Sequence, residues 1–257
     1  MKQFVSEVLE NRELIENYFE ISFFWPADCR IPLPGQIVTI NVTSSSSPYL
    51  RRPFALSSFH RDTRTAKILY QVRGPATQIL SRKRRGDTLD CLGPRGFAFT
   101  VEKDRRPFVV GGGFGVGPLV YAAQYLVEKG HRPLLVLGFA SKNLCPRLEL
   151  LPSVTTQICT ADGTQGFHGT PVHYLESLKE QKQREGFVWT FDTRTKMKET
   201  HLWAQKMGLP CQVCWDEVLA CTVGACQGCT VASTNGGTML RTCTEGPVFR
   251  SERLVWT

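Results

Sequence analysis

The chain has 257 residues, 42% hydrophobic and 21% charged, with a formal net charge of +8; this is the profile of a globular protein with room for one large or two small domains plus an appendage. No apolar run approaches the roughly 18 residues of a membrane helix, and the opening "MKQFVSEVLENRELIENYFE" is rich in Glu with no signal-peptide core. These features predict a cytoplasmic protein with no membrane partner, in which ten cysteines argue for metal or redox chemistry over a disulfide framework.

Residues 1–103 read as a β domain. Short runs such as "FVSEVLENREL", "YFEISFFW", "GQIVTINV", "RRPFALSSF", "AKILYQVRG" and "DTLDCLGP" are punctuated by Pro and Gly, and "TSSSSP", from Thr43, is a polar loop. The pattern predicts an antiparallel barrel or sandwich. Basic clusters at Arg51–Arg52, 81–87 and 104–107 suit phosphates or an acidic partner, or are solvated surface. No nucleic-acid motif accompanies them, and no nucleic-acid partner is expected.

Residues 104–208 change character. "FVVGGGFGVGPLVYAAQYLVEKG" reads as an apolar strand, a glycine turn and a helix, with Pro118 in the first helical turn and Gly130 at the exit. Leu119, Ala122, Ala123 and Leu126 recur at helical spacing and predict a buried face. "PLLVLGFA" reads as a strand buried on both faces; "TTQICTAD" and "GFVWTFD" follow as strands and "KMKETHLWAQKMG" as a helix. The alternation predicts a parallel α/β domain. Its glycine turn contains Gly113, Gly115 and Pro118 as G-x-G-x-x-P. The plain reading is a tight strand–helix turn. In this position it also lets backbone N–H groups and a helix N-terminus face a pyrophosphate.

Residues 209–257 show little periodicity and carry "CTVGACQGCT". Cys221, Cys226 and Cys229 stand at C-x4-C-x2-C spacing, with Cys243 following in "RTCTEGPVF". This is the plant-type pattern for a 2Fe–2S cluster, in which four thiolates complete two tetrahedral irons. Gly224 and Gly228 let the loop bend tightly and turn N–H groups toward sulfur. Zinc is the competing reading, built from "CQVC" (Cys211, Cys214) and "CQGC" (Cys226, Cys229); unligated core cysteine is the plain one.

The order of β-barrel, nucleotide-binding α/β domain and C-terminal 2Fe–2S loop domain resembles the ferredoxin reductase superfamily. Within it, the whole chain resembles the electron-transfer subunits of two-subunit, NAD-linked dihydroorotate dehydrogenases. The likeness rests on "RRPFALS", "GPAT", "LGPRGFAF", "GGGFGVGPL", "ADGTQG", "ACTVGACQGC" and "RTCTEGPVF". It implies FAD in the barrel, with Arg52, Pro53, Phe54 and Ala55 on one flavin-flanking strand and Leu69, Tyr70 and Gln71 on a second. Arg52 would anchor the FAD pyrophosphate, and Ala76 and Thr77 would hold phosphate. Gly113, Gly115 and Asp162 would face a nicotinamide nucleotide, NAD; Cys221, Cys226, Cys229 and Cys243 would hold the 2Fe–2S cluster. The implied partner is an FMN-containing dihydroorotate dehydrogenase catalytic subunit of pyrimidine biosynthesis, joined in a heterotetramer. A reductase subunit serving a sulfite, sulfide or ferredoxin partner is the alternative. No catalytic acid, base or nucleophile is singled out by the sequence.

Three departures from the family pattern stand out. Ala55 replaces Ser on the flavin strand, "GPAT" replaces Gly-x-Gly-Thr, and "TFDTRTKM" (190–197) stands where related reductases carry Cys-Gly-Pro. The last, with Asp192, Thr193 and Arg194 at the nicotinamide position, implies slower and weaker reduction by NADH.

Overall fold

The computed structural model describes residues 1–43, 47–148, 152–178 and 185–256; Ser44–Ser46 of the predicted polar loop lie outside the described residues. The first hundred residues form antiparallel strands, as their alternation and turn residues predict. β1 (Lys2–Ile15), β2 (Tyr18–Phe24), β3 (Ile37–Asn41), β4 (Arg52–Ala55), β5 (Ser58–His60) and β6 (Thr65–Gln71) are followed by a short helix, α1 (Pro75–Ser81), and β7 (Thr88–Arg95). They pair in the order β4-β3-β7-β1-β2-β6-β5. Val8, Ile21, Phe23, Trp25, Ile40, Ile68 and Leu89 fill the inner face. β6 shows why: Ala66, Ile68 and Tyr70 are buried while Lys67, Leu69 and Gln71 lie on the other, half-covered face, the period of two that a pleated strand imposes.

The second layer opens with β8 (Arg106–Gly112), a one-turn bend over Gly113–Gly115 and α2 (Val116–Glu128). Next come β9 (Leu134–Phe139), β10 (Thr155–Thr160), β11 (Phe167–His168), α3 (Pro171–Ser177), β12 (Gly186–Phe191), α4 (Arg194–Lys206) and β13 (Cys211–Cys214). The sheet runs β11-β10-β9-β8-β12-β13 in parallel, and a late strand, β16 (Val248–Arg250), closes the edge antiparallel to β13. Every residue of β9 and β12 is buried, because helices cover both faces of the sheet. Between β13 and β16 lie the hairpin β14 (Thr230–Ala232) and β15 (Met239–Arg241) and a single turn, α5 (Thr242–Glu245).

Cys211–Cys214 is thus an inner strand of the parallel sheet, with Cys211 opposite Val188. Residues three apart on a strand point to opposite faces. The Cys214 thiol faces the Gly35 carbonyl, while the Cys211 thiol lies by Ser251. The "CQVC" pair cannot chelate one ion, which removes the zinc reading built on it.

The two sheets meet through α2. The Tyr121 hydroxyl donates to the Pro32 carbonyl at 2.7 Å, and Gly117 packs so closely on Leu69 and Ser57 that a Cβ would come within 2.9 Å of both. The segment between β7 and β8 is fixed by reciprocal bonds: the Thr100 N–H donates to Gln212 Oε1 and Gln212 Nε2 donates to the Thr100 carbonyl. Among the described residues no helix is long and apolar enough to cross a membrane.

Candidate functional site: a cleft at the switch point and a cysteine loop

In the second sheet the chain runs outward from β8 to β9 and β10 on one side and to β12 and β13 on the other. The carboxyl ends of β8 and β12 therefore flank a topological switch point, where open α/β sheets bind ligands. The glycine turn leaves β8 there, Asp192 leaves β12, and Trp215 leaves β13.

A cleft of about 230 Å³ opens at this point against the barrel. Pro53, Phe54 and Ala55 form one wall and Leu69, Tyr70 and Gln71 a second, so six of the predicted flavin residues converge. Phe114, Phe191, Trp215 and Asp216 line it from the side of the α/β sheet, and Leu219 and Pro247 also belong to the lining. Tyr70 is held in place: its hydroxyl donates to Asn11 Oδ1 at 3.1 Å, and burial raises its pKa far above the usual range. A cleft lined by Pro53, Phe54, Ala55, Leu69 and Tyr70 from the barrel and by Phe114, Phe191 and Trp215 opposite suits an aromatic ring system such as a flavin.

The cations divide unequally. Arg51 is committed to Asp90, whereas Arg52 donates to the Leu50 carbonyl and makes no ion pair among the described residues. Arg73, which the sequence reading did not single out, lines the cleft; its Nε donates to Gln71 Oε1 and its guanidinium lies 6.0 Å from the Phe114 ring centre. The signal for it was its place between the flavin strand and "GPAT". The Thr77 hydroxyl accepts from the N–H groups of Arg73 and Gly74 and so closes the turn that carries Arg73. Ala76 packs into the barrel core within α1 and has no positive φ. That is why Ala is accommodated where the family pattern has Gly.

On the nucleotide side, Gly113 has φ +53° and open space above it, its nearest neighbour being Asp192 Oδ1 at 3.9 Å. Gly115 is needed for a different reason: a Cβ there would meet the Phe191 carbonyl at 2.0 Å. Part of the glycine pattern thus serves contact between α2 and β12. Asp162 closes its own turn, with Oδ1 accepting from the Thr164 N–H and hydroxyl, and does not line the cleft.

The residues at the Cys-Gly-Pro position are occupied. Arg194 pairs with Glu217 and lies 5.2 Å from the Trp215 ring centre. Asp192 is buried; Oδ1 accepts from the Thr193 N–H at 2.7 Å, while Oδ2 accepts no hydrogen bond and stands 3.9 Å from Lys196 Nζ. Burial pushes its pKa up.

The four predicted ligand cysteines lie on one loop and the turn that faces it. Thr222, Gly224 and Gln227 all have positive φ, which turns backbone N–H groups inward. The Cys226 N–H points at the Cys221 sulfur at 3.4 Å and, with those of Val223 and Ala225, pulls that thiol down to about 6. The Gly228 N–H points at Cys226 Sγ. The Thr242 N–H donates to the Cys229 carbonyl, bringing buried Cys243 against buried Cys229. Arg95 ties the loop to the barrel through the Thr222 carbonyl. Sulfurs met by backbone N–H groups suit a thiolate-bound cluster. Among the described residues, no group of three or more His, Cys, Asp or Glu side chains is placed to hold a metal ion.

Residues 216–255 match the family model described as the iron–sulfur cluster binding domain of dihydroorotate dehydrogenase B. The chain is 32% identical over 254 residues, 98% of each chain, to the "Dihydroorotate dehydrogenase B (NAD(+)), electron transfer subunit" of Caldanaerobacter subterraneus subsp. tengcongensis. It is 30% identical to the subunit of the same name from Streptococcus mutans, covering 96% of each. Among solved structures, one described as an NADH-dependent reduced ferredoxin-NADP oxidoreductase, studied for flavin-based electron bifurcation, superposes with a TM-score of 0.84. It is 26% identical, over 98% of this chain and 90% of that one. A ferredoxin reductase of carbazole 1,9a-dioxygenase shares the fold with a TM-score of 0.68 over 81% of this chain and 67% of that one.

Proposed function

Because the chain belongs to the family of dihydroorotate dehydrogenase B (NAD(+)) electron transfer subunits, we propose that it carries electrons between a nicotinamide nucleotide and an FMN-bearing catalytic subunit that oxidises dihydroorotate to orotate. The two subunits would form a heterotetramer in pyrimidine biosynthesis. FAD bound in the cleft supplies conversion between two-electron and one-electron transfer, which a 2Fe–2S cluster alone cannot perform.

The observation that carries this reading is in the lining of the cleft. It includes Leu219 and Pro247, two residues from Cys221 and four from Cys243 along the chain. The proposed flavin and cluster sites are thus neighbours along one segment of the chain. In this reading Pro53, Phe54, Ala55, Leu69, Tyr70 and Gln71 sandwich the ring system, and Arg52 and Arg73 hold the pyrophosphate. Ala76 and Thr77 offer first-turn N–H groups. Cys221, Cys226, Cys229 and Cys243 ligate the cluster, and Gly113, Gly115 and Asp162 receive the nucleotide. Arg194, held by Glu217 and Trp215, narrows the nicotinamide approach and slows reduction by NADH. Ten unpaired cysteines suit the reducing cytoplasm.

The test is reconstitution. The purified chain should be brown, with flavin absorption and an EPR signal from one reduced 2Fe–2S centre. Mixed with an FMN-bearing dihydroorotate dehydrogenase subunit, it should form a stable complex in which dihydroorotate bleaches the cluster. Absence of both the complex and the bleaching would overturn the partner assignment. The likeness to the NADH-dependent reduced ferredoxin-NADP oxidoreductase favours a second reading, a ferredoxin partner, which reduced ferredoxin in place of dihydroorotate would reveal.

A further inference from the structure

This inference rests on the flavin–cluster reading and concerns a proton. Oxidation of one NADH removes a hydride, two electrons with one proton. A 2Fe–2S cluster accepts one electron at a time and takes no proton with it. The balance is one NADH and two oxidised clusters giving NAD⁺, two reduced clusters and one H⁺. For every nicotinamide oxidised, one proton is left on a flavin ring nitrogen in the cleft and must leave.

Most polar groups around the cleft cannot take it. The Tyr70 hydroxyl is held by Asn11 and its pKa is raised far above neutrality. The Cys214 thiol faces the Gly35 carbonyl and burial raises its pKa in the same way. Gln71 is neutral and accepts from Arg73, a permanent cation. Glu217 is committed to Arg194. No histidine lines the cleft or the neighbouring outer one.

Asp216 is what remains. It accepts no hydrogen bond and makes no ion pair among the described residues. It lines both the inner cleft, with Phe54, Leu69 and Tyr70, and an outer cleft of about 450 Å³ bounded by Phe114, Asp192, Arg194 and Glu217. The outer cleft opens to solvent, and Asp216 is an exposed residue. One carboxylate therefore stands at the junction between the flavin space and water.

We propose that Asp216 is the proton outlet of this electron-transfer chain. As electrons pass to the cluster, the N–H bond on the flavin ring breaks, its electron pair stays with the nitrogen, and an O–H bond forms on the Asp216 carboxylate. The proton then passes through the outer cleft to solvent, which restores the carboxylate. The charges around it suit the task. Surrounding protein and the adjacent Glu217 raise the Asp216 pKa, while Arg194 from α4 and Arg73 from the end of β6 act the other way; the net direction is upward. A carboxyl moved toward neutral pH accepts and releases a proton more readily there. Buried Asp192 also lines the outer cleft.

The test uses the FAD- and cluster-loaded chain, mixed anaerobically with NADH and followed separately in the flavin and cluster absorption bands. Hydride transfer needs no base, so Asp216→Asn should slow cluster reduction at least about tenfold more than flavin bleaching. The slow phase should gain a solvent deuterium isotope effect, and Asp216→Glu should restore it. A redox titration gives a readout independent of turnover: the pH dependence of the bound flavin's midpoint potential should lose an inflection in Asp216→Asn, with FAD and iron content equal to wild type. Equal slowing of both phases, or an unchanged titration with an unchanged cluster phase, overturns the proposal while leaving the flavin–cluster reading intact. A wild-type chain that binds neither FAD nor a cluster overturns both.

Discussion

Gly115 offers a quantitative check on how the fold serves the site. Its φ of −76° is ordinary for any residue, so on backbone grounds Gly115→Ala should stabilise the protein by about 0.4–1 kcal/mol through the unfolded chain. The structure predicts the opposite sign. The added Cβ would lie 2.0 Å from the Phe191 carbonyl oxygen and 2.7 Å from its carbon, against 3.4 Å for ordinary contact. These are backbone atoms of an inner strand, so no side chain can swing away. The start of α2 must move by about 1.4 Å, and overpacking of this kind costs about 1–3 kcal/mol. At roughly 2–4 °C per kcal/mol for a chain near this size, the melting temperature should fall by about 2–12 °C. The same shift displaces Phe114 and the glycine turn from the cleft. A misplacement of about 1 Å can reduce a rate on the order of a hundredfold, so flavin reduction by NADH should slow well beyond the stability loss. Gly130→Ala is the control: at φ +83° with nothing within 4 Å, it strains the far end of α2 by about 1–2 kcal/mol without touching the site. Thermal unfolding and anaerobic stopped-flow on both variants decide the matter. A Gly115→Ala protein that melts at or above the wild-type temperature and is reduced at the wild-type rate would refute the reasoning.

Other outcomes follow from the same geometry. Ser at Cys221, Cys226, Cys229 or Cys243 should lower iron content or shift the EPR signal, and Ser at Cys211 or Cys214 should leave the signal intact; a cluster lost with Cys214→Ser but kept with Cys243→Ser would reverse the assignment. Arg52→Ala and Arg73→Ala should each weaken FAD binding by about 1.5–3 kcal/mol, one to two decades in Kd, in a chain that still folds, as fluorescence titration of the apoprotein would register. His201, with Nδ1 2.8 Å from Ser251 Oγ and its ring stacked on Trp256, is held by burial below its ordinary pKa of 6.5. The unfolded chain takes up that proton more readily, so this stability is present above 6.5 and is lost as pH falls through the folded value. The melting temperature should therefore drop more steeply from about pH 7 to pH 5.5 in wild type than in His201→Gln.

Local patterns carried much of the fold and the cluster loop. Alternating strands, the buried runs of β9 and β12 and the strand–glycine–helix unit are short-range features with their own periods, and four cysteines at fixed spacing carry the proposed ligand set in the chain itself. The family likeness added the two flavin strands, whose residues converge on one cleft because β4 and β6 approach each other across the barrel. The sequence alone could not decide the fate of Cys211–Cys214. A four-residue strand is too short to show a period, and only its pairing beside Val188 puts the two thiols on opposite faces. Nor could it separate Arg51 from Arg52, since the difference is Asp90, a partner brought alongside by strand pairing. Arg73, Trp215 and Asp216 carry no motif of their own, since each is an ordinary residue beside a strand end. They acquire meaning only where the carboxyl ends of β8, β12 and β13 meet the barrel, a juxtaposition of segments distant in the chain that tertiary packing alone creates.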